Sequence, residues 1–176
     1  MKKLVIPILM AVLAIAACSS EKADTALRTG AERTGEYLPL LEGKNVAVVA
    51  NQTSMVGNSH LVDTLLSSGI DVKMIFAPEH GFRDLADAGA VITSGADPVT
   101  GINVVSLYGA KKKPAPEDLA GVDIVIFDIQ DVGTRFYTYL TTMCYVMEAC
   151  AENGKLFIVM DRPNPNGYYV DGPILD

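Results

Sequence analysis

Glu79 is the residue whose neighbours best suit it to act as a general acid. It lies between Pro78, which fixes φ, and His80, and the following Gly81 permits close backbone approach. A carboxyl group on such a short turn beside an apolar strand end would be partly removed from water. Desolvation keeps a carboxyl group protonated, as a general acid requires. The alternative is a solvated loop glutamate, or one that caps a neighbouring backbone N–H.

Asp128 and Asp131 are a second pair of acidic candidates, with Gln130 between them. One of them could act as a base or could stabilise an oxocarbenium ion, the positive species that forms in glycoside hydrolysis. In the alternative interpretation, Asp128 orders its own loop and Asp131 pairs with Arg135.

Three arginines, Arg83, Arg135 and Arg162, could each bind a substrate carboxylate through two hydrogen bonds. Each could equally pair with a nearby aspartate, and we expect that at least one does. Tyr137 could stack under a sugar ring, or it could simply pack against its neighbours.

The elements that would position these residues follow an alternating pattern. Apolar runs predict buried strands at residues 45–50, 72–76, 104–107, 122–127 and 156–160. Helical spacing predicts helices at residues 34–43, from residue 61 to Gly69, and at 136–153, with one further turn at 117–119. Alternating strands and helices predict an α/β domain with a Rossmann-like parallel sheet flanked by helices. The sequence contains no G-x-G-x-x-G motif, and we infer no dinucleotide or other cofactor.

Polar residues follow each of the four long strands. Because parallel strands end at one edge of a sheet, and ligands bind at that edge, these residues are expected to form one site. The predicted substrate-binding residues are Asn51, Gln52, His80, Arg83, Gln130, Arg135, Tyr137, Asp161, Arg162 and Asn164.

Charge and cysteine content exclude several classes of protein. The formal net charge is −7, which argues against nucleic-acid binding because that function needs a basic face. Cys144 and Cys150 are six residues apart on a predicted helix, so we expect two unpaired, buried thiols. Two histidines are too few for a Cys/His metal cluster, and Asp84 and Asp87 lack calcium-loop spacing. We therefore predict that no metal is required.

The N-terminus has the pattern of a lipoprotein signal. Residues 1–17 combine two lysines with an apolar stretch too short to span a bilayer, and the lipobox ends at Cys18. We predict lipidation at Cys18, a tether over residues 18–33 and a domain over residues 34–176. The expected location is the cell envelope, anchored at the periplasmic face or the outer membrane. The alternative is an ordinary secretory signal with an incidental cysteine.

Several ordered motifs resemble those of the NamZ-type exo-β-N-acetylmuramidase family, from about residue 36 to the last residue. The motifs are N-Q-T at residues 51–53, P-E-H-G-F-R at 78–83, A-D-A-G at 86–89, S-L-Y-G at 106–109, F-D-I-Q-D-V-G at 127–133, R-F-Y-T-Y at 135–139 and D-R-P-N-P at 161–165.

The resemblance implies a glycosidase that releases terminal, non-reducing N-acetylmuramic acid from peptidoglycan fragments. It also implies that Glu79 is the catalytic acid and that the active-site cleft lies between a Rossmann-like domain and a smaller C-terminal domain.

The chain departs from the family pattern at Asp84 and Ala90, where glycine and glutamate are usual. Family members are longer, so we expect that the C-terminal domain is absent and that the chain is a truncated product or a fragment. The alternative function is a non-catalytic lipoprotein that binds a cell-wall glycan or a protein, or an inactive fragment of the enzyme. The sequence does not decide between retaining and inverting chemistry, and it leaves the oligomeric state open.

Overall fold

The computed structural model describes residues 26–83 and 94–174. The predicted signal, the lipidation site at Cys18 and the departures at Asp84 and Ala90 lie outside these ranges.

A six-stranded sheet forms the centre of the domain, in the order β5-β6-β4-β1-β7-β8. All neighbouring strands in it are parallel except β5, which runs antiparallel to β6. This topology confirms the predicted Rossmann-like parallel fold. A separate two-stranded hairpin pairs β2 with β3. The strands are β1 Asn45–Ala50, β2 Met55–Val56, β3 Ser59–His60, β4 Asp71–Ala77, β5 Gly95–Ala96, β6 Asn103–Ser106, β7 Ile124–Asp128 and β8 Leu156–Val159.

Three α-helices flank the sheet: α1 Thr34–Leu41, α2 Leu61–Ser67 and α3 Tyr139–Glu152. The predicted start of the longest helix at Phe136 is wrong, because α3 begins only at Tyr139. Phe136 and Tyr137 are instead 88% and 51% exposed in the preceding loop. These two aromatic residues before α3 therefore made the apolar pattern longer than the helix itself.

The core lies on both faces of the sheet, because alternate residues of a strand point to opposite faces. Val46 and Val48 of β1 pack in the cluster that includes Leu41 of α1 and Leu65 of α2. On the other face, Ala47 and Val49 of β1 pack in the cluster that contains Val146 of α3. β1 is therefore buried from both sides, as its continuous apolar run predicts.

The packed domain begins earlier than the predicted boundary at residue 34. The backbone N–H of Gly30 donates to Asp161 O at 2.7 Å, and Ala31 is fully buried. A Cβ atom at Gly30 would lie 2.6 Å from Asp161 N and 2.9 Å from Met160 Cα, so glycine is needed for this close approach. Residues that precede α1 thus pack beside the end of β8.

Cys144 and Cys150 are both unpaired, as predicted, but only Cys150 is buried. The prediction that Cys144 is buried is wrong, because its side chain points away from the sheet. Among the described residues, no helix combines the length and apolar character needed to cross a membrane.

Candidate active site

Four adjacent strands bring the predicted site loops together. β4, β1, β7 and β8 are neighbours and run parallel, so their carboxyl ends share one edge of the sheet. Asn51 directly follows β1, Glu79 lies two residues after β4, Asp128 ends β7, and Asp161 lies two residues after β8. This edge is where an open parallel sheet binds ligands.

Glu79 is half-buried, and its carboxyl group is held by a hydroxyl group from another loop. Thr138 Oγ1 donates to Glu79 Oε2 at 3.0 Å. Tyr108 lies in the loop after β6, and its interaction with the Glu79 carboxylate raises the pKa of Tyr108. A carboxyl group held by a neighbouring loop has a more defined orientation, which proton transfer to a substrate requires.

The turn that carries Glu79 has an unusual backbone. His80 has a φ of 72°, and Gly81 follows with a φ of 87°. Left-handed φ values are uncommon for residues other than glycine, and they concentrate at functional sites. The turn closes with a hydrogen bond from Gly81 N to Pro78 O at 3.1 Å. The predicted short turn is therefore present, and His80 shapes it through its backbone.

Tyr139 and Asn51 form the inner wall beside Glu79. Burial raises the pKa of Tyr139, with Asn51 opposing the shift and the charge of Glu79 adding to it. Asn51 is fully buried, and neither its Nδ2 nor Gln52 Oε1 has a hydrogen-bond partner of normal geometry among the described residues. Tyr137 meets Tyr139 edge to face at 5.8 Å. Polar atoms without partners, next to a fixed carboxyl group, are typical of a binding site.

Hydrogen bonds between loops hold Asn51 in place. Asn51 Oδ1 accepts from Thr53 N at 2.9 Å and from Thr53 Oγ1 at 2.6 Å, and Thr53 Oγ1 accepts from Gln130 N at 3.0 Å. The Gln130 amide donates to Asp131 O at 2.6 Å and to Pro163 O at 3.0 Å. Gln130, predicted to bind substrate, therefore uses its amide N–H groups to join the loops after β7 and β8.

Asp128, predicted as a base or an oxocarbenium stabiliser, lies in an internal ion pair. Its carboxylate accepts from Arg162 Nε at 2.6 Å and from Arg162 Nη2 at 2.9 Å, and the Asp128 side chain is fully buried. Burial raises the pKa of Asp128, and the two contacts with Arg162 oppose that shift. Arg162, predicted to bind substrate, also donates to Met55 O at 2.8 Å, and its side chain is only 8% exposed. These contacts favour the alternative interpretation, in which the two residues are structural partners.

Arg83, also predicted to bind substrate, is engaged by two carboxylates, which favours the alternative structural role. Its two terminal nitrogens donate to Asp63 at 2.9 and 2.6 Å, and its Nε lies 3.2 Å from Asp97 Oδ1. The guanidinium group also lies 4.9 Å from the centre of the Phe82 ring. With two carboxylates on one guanidinium group, little donor capacity remains for a ligand.

Arg135 is the exception among the three predicted arginines. It is exposed and forms no ion pair within the described part of the chain. The suggested pair with Asp131 is not formed, because Asp131 Oδ2 instead accepts from Gly133 N at 3.1 Å. Asp131 therefore orders its own turn, and Arg135 keeps a cation available at the site edge.

A cavity of about 240 Å³ lies between the loop after β7, the start of α3 and the loop after β8. Its wall includes Asp161 and Asn164, which are exposed and were predicted to bind substrate, and it also includes the half-buried Asp131. Asn164 Oδ1 accepts from Asn166 N at 2.9 Å, which orders the loop. The wall of this cavity includes Phe127, Ile129, Tyr139, Leu140, Met143 and Val159.

Sequence reasoning gave no role to several residues at this edge. Tyr108, Thr138 and Tyr139 lie within the motifs that carry the family resemblance, and this was their only signal. His60 was missed as well: its Nε2 lies 2.9 Å from Asn51 O, and its Nδ1 accepts from Val62 N at 3.2 Å. In residues 26–83 and 94–174, no three His, Cys, Asp or Glu side chains are grouped to hold a metal ion.

The family model described as exo-beta-N-acetylmuramidase NamZ, N-terminal, matches residues 46–176. The chain belongs to the NamZ family. It is 48% identical, over 144 residues, to the peptidoglycan beta-N-acetylmuramidase NamZ of Bacillus subtilis strain 168, an alignment that covers 80% of this chain and 35% of that protein. The chain thus spans about a third of the length of this relative.

Two crystal structures of DUF1343 family proteins from Bacteroides fragilis NCTC 9343 share the fold. One is 49% identical with a TM-score of 0.70, and the match covers 84% of this chain and 38% of that one. The other is 42% identical with a TM-score of 0.70 and covers 78% and 35%. The motifs quoted from the sequence therefore identified the correct family and fold.

Proposed function

We propose that the chain carries the acid-bearing part of a glycoside hydrolase that releases terminal, non-reducing N-acetylmuramic acid from peptidoglycan fragments during cell-wall turnover. The observation that carries this proposal is the carboxyl group of Glu79, which accepts from Thr138 Oγ1 at the ligand-binding edge of the sheet. The similarity to a named peptidoglycan beta-N-acetylmuramidase supports the same reaction class.

Glu79 protonates the glycosidic oxygen of the leaving group in this proposal. Oε2 accepts the Thr138 hydroxyl, so we assign the proton transfer to Oε1, the oxygen outside this contact. Because Asp128 is engaged by Arg162, the base or nucleophile in this proposal is another carboxylate. Asp131 and Asp161 lie on the cavity wall and are the described candidates.

Arg135 supplies specificity for muramic acid in this proposal. The lactyl group of that sugar ends in a carboxylate, which N-acetylglucosamine lacks. An exposed arginine without an ion pair in the described ranges can offer two parallel N–H groups to such a carboxylate. Tyr137, half exposed two residues later, offers its ring as a platform for the sugar.

The test uses the full chain, purified in detergent, with a chromogenic β-N-acetylmuramide and the matching β-N-acetylglucosaminide. We expect release from the muramide alone, and we expect Glu79→Gln to lose hydrolysis of a β-linked disaccharide that ends in N-acetylmuramic acid, because its unactivated leaving group must be protonated. Glu42→Gln is the matched control, because Glu42 is exposed and precedes the amino end of β1, at the opposite edge of the sheet. Equal release from both chromogenic substrates, or full activity of Glu79→Gln on the disaccharide, would refute the proposal.

A non-catalytic glycan-binding protein is the second candidate. This function is favoured by the contacts of the two loop aspartates. Asp128 is paired with Arg162, and Asp131 accepts a hydrogen bond from Gly133 N. Calorimetric titration with muramic-acid fragments separates the two functions. Binding that depends on Arg135, without any hydrolysis, would support the binder.

We also propose that the protein is lipid-anchored at Cys18 in the cell envelope, on the basis of its lipobox. Metabolic labelling with a clickable fatty acid tests this. The label is expected on the wild-type protein and absent from Cys18→Ser, whereas label on both would refute the assignment.

A further inference from the structure

We infer that Thr138 is a positioning residue that fixes the acid orientation of Glu79 instead of capping helix α3. This inference rests on the proposed function of Glu79 as the acid. It concerns how that carboxyl group is held in its working position.

The position of Thr138 makes its hydroxyl bond unexpected. Thr138 is the N-cap residue of α3, where a threonine hydroxyl normally accepts from a backbone N–H of the first helical turn. No such capping bond is formed here, and the residue has φ −90° and ψ −1°, outside the extended region that capping favours. The hydroxyl donates instead to Glu79 Oε2, 59 residues away, at 3.0 Å.

The first turn of α3 is stabilised by other groups. The backbone oxygen of Thr138 accepts from Thr142 N at 2.9 Å and from Thr142 Oγ1 at 3.2 Å. Tyr139 is buried against the sheet at the start of the helix. The helix therefore starts without a side-chain cap, and the Thr138 hydroxyl is available for Glu79.

Glu79 needs such a partner because of its own backbone. It precedes His80, which has a φ of 72°, and lies in a loop beyond the end of β4, where no strand pairing holds it. One side-chain bond to the start of α3 ties this loop to a rigid element. The bond engages Oε2, so Oε1 is the carboxyl oxygen that Thr138 leaves open to a substrate.

The bond also joins the acid to the proposed carboxylate-binding segment. Arg135 lies three residues before Thr138 in the loop between β7 and α3. A sugar carboxylate held by Arg135 would order this loop, and the Thr138 hydroxyl would transmit that order to Glu79. Thr138 therefore links recognition of the substrate to the orientation of the acid.

The test compares Thr138→Val, which keeps the shape but removes the hydroxyl, with Thr138→Ser, which keeps the hydroxyl. Thr141→Val is the matched control, because Thr141 is exposed on α3 three residues later. The full chain in detergent is labelled with ¹³C at the glutamate side-chain methylenes, and the Glu79 signals are assigned by their loss in Glu79→Gln. Side-chain order is then measured by NMR relaxation.

We expect Thr138→Val to lower the order of the Glu79 side chain, and Thr138→Ser and Thr141→Val to preserve it. The melting temperature of Thr138→Val should equal that of Thr141→Val, since no cap is lost. Unchanged Glu79 order in Thr138→Val would overturn the inference. A melting temperature several degrees lower than that of the control would also overturn it, because the hydroxyl would then be acting on the helix.

Hydrolysis of a β-linked disaccharide that ends in N-acetylmuramic acid, whose leaving group must be protonated, is a second readout. If the wild type is active, kcat of Thr138→Val should fall about tenfold or more while KM stays within about twofold, with recovery in Thr138→Ser. An unchanged kcat would contradict the positioning role. If no variant is active, the proposed function fails, and the relaxation measurement still decides whether Thr138 orders Glu79.

Discussion

Arg162 and Asp128 form a two-point ion pair at the carboxyl edge of the sheet, with Nε–Oδ1 and Nη2–Oδ2 distances of 2.6 and 2.9 Å. The Asp128 side chain is fully buried and that of Arg162 is 8% exposed. The pair links the end of β7 to the loop after β8. It therefore belongs to the framework of the site, although both residues have the chemistry of ligands.

Arg162→Met should destabilise the protein strongly, because it leaves the Asp128 carboxylate buried without its cation. The expected loss is about 3–5 kcal/mol in the free energy of unfolding, measured by urea titration. Arg33→Met is the matched control. Arg33 pairs with Glu36 on the surface at 3.4 Å, and its loss should cost less than about 1 kcal/mol. Equal losses in the two variants would contradict the structural role of Arg162.

Asp63→Asn tests the structural role of Arg83 through pH. Hydrogen bonds from Arg83 hold the pKa of Asp63 below its ordinary value of 3.8. A carboxyl group with a lowered folded pKa contributes stability that is present above its unfolded pKa and lost as the pH falls through its folded pKa. We expect Asp63→Asn to cost about 1 kcal/mol at pH 7.

This cost should shrink as the pH falls below about 4, where the unfolded carboxyl begins to bind protons. Thermal unfolding of wild type and Asp63→Asn at several pH values measures it. A difference in stability that stays constant from neutral to strongly acidic pH would show that the Arg83 contact does not act through the charge of Asp63.

The sheet could be predicted from the sequence because β1 and β7 are apolar runs, which are typical of strands covered on both faces, although Lys73 interrupts β4. The start of α3 could not, because Phe136 and Tyr137 look apolar in the sequence but lie exposed in a loop. A hydrophobic pattern depends only on residue type, so it does not distinguish a buried aromatic residue from an exposed one.

The partners of the charged residues required the folded structure. Arg83, Arg135 and Arg162 have the same chemistry, yet two are paired inside the protein and one is exposed. The carboxylates that make this difference include Asp63 and Asp128, which are 20 and 34 residues from their arginines. Thr138 likewise has no local pattern that points to Glu79, so the sequence offered Glu79 as a candidate acid but gave no sign of its contact with Thr138.

Arg135→Gln tests the proposed specificity for muramic acid. The KM for the β-N-acetylmuramide should rise about tenfold to a hundredfold, since a charged hydrogen bond contributes about 1.5–3 kcal/mol. Any residual activity on the β-N-acetylglucosaminide should not change, because that sugar has no carboxylate. Lys112→Gln removes another exposed cation and is the control. A similar rise in KM for both variants would indicate a general effect of charge.

Tyr108 reports on Glu79 without any need for enzymatic activity. The hydrogen bond and the negative charge of Glu79 raise the pKa of Tyr108 above its ordinary value of 10.0. Glu79→Gln removes the charge, so the pKa of Tyr108 should fall back towards 10.0. Titration of the tyrosine ¹³Cζ signals by NMR measures this, with Glu42→Gln as the control. A Tyr108 titration unaffected by Glu79→Gln would show that the two side chains do not interact.

Whether Glu79 donates the proton to the leaving group is tested most sharply with two substrates that differ in how much protonation their leaving groups need. An activated aryl β-N-acetylmuramide needs little protonation to depart, whereas a β-linked disaccharide needs a full proton transfer. We predict that Glu79→Gln lowers kcat/KM on the disaccharide by a factor of about a hundred or more, and on the activated aryl glycoside by far less. An equal loss on both substrates would contradict the assignment of Glu79 as the acid.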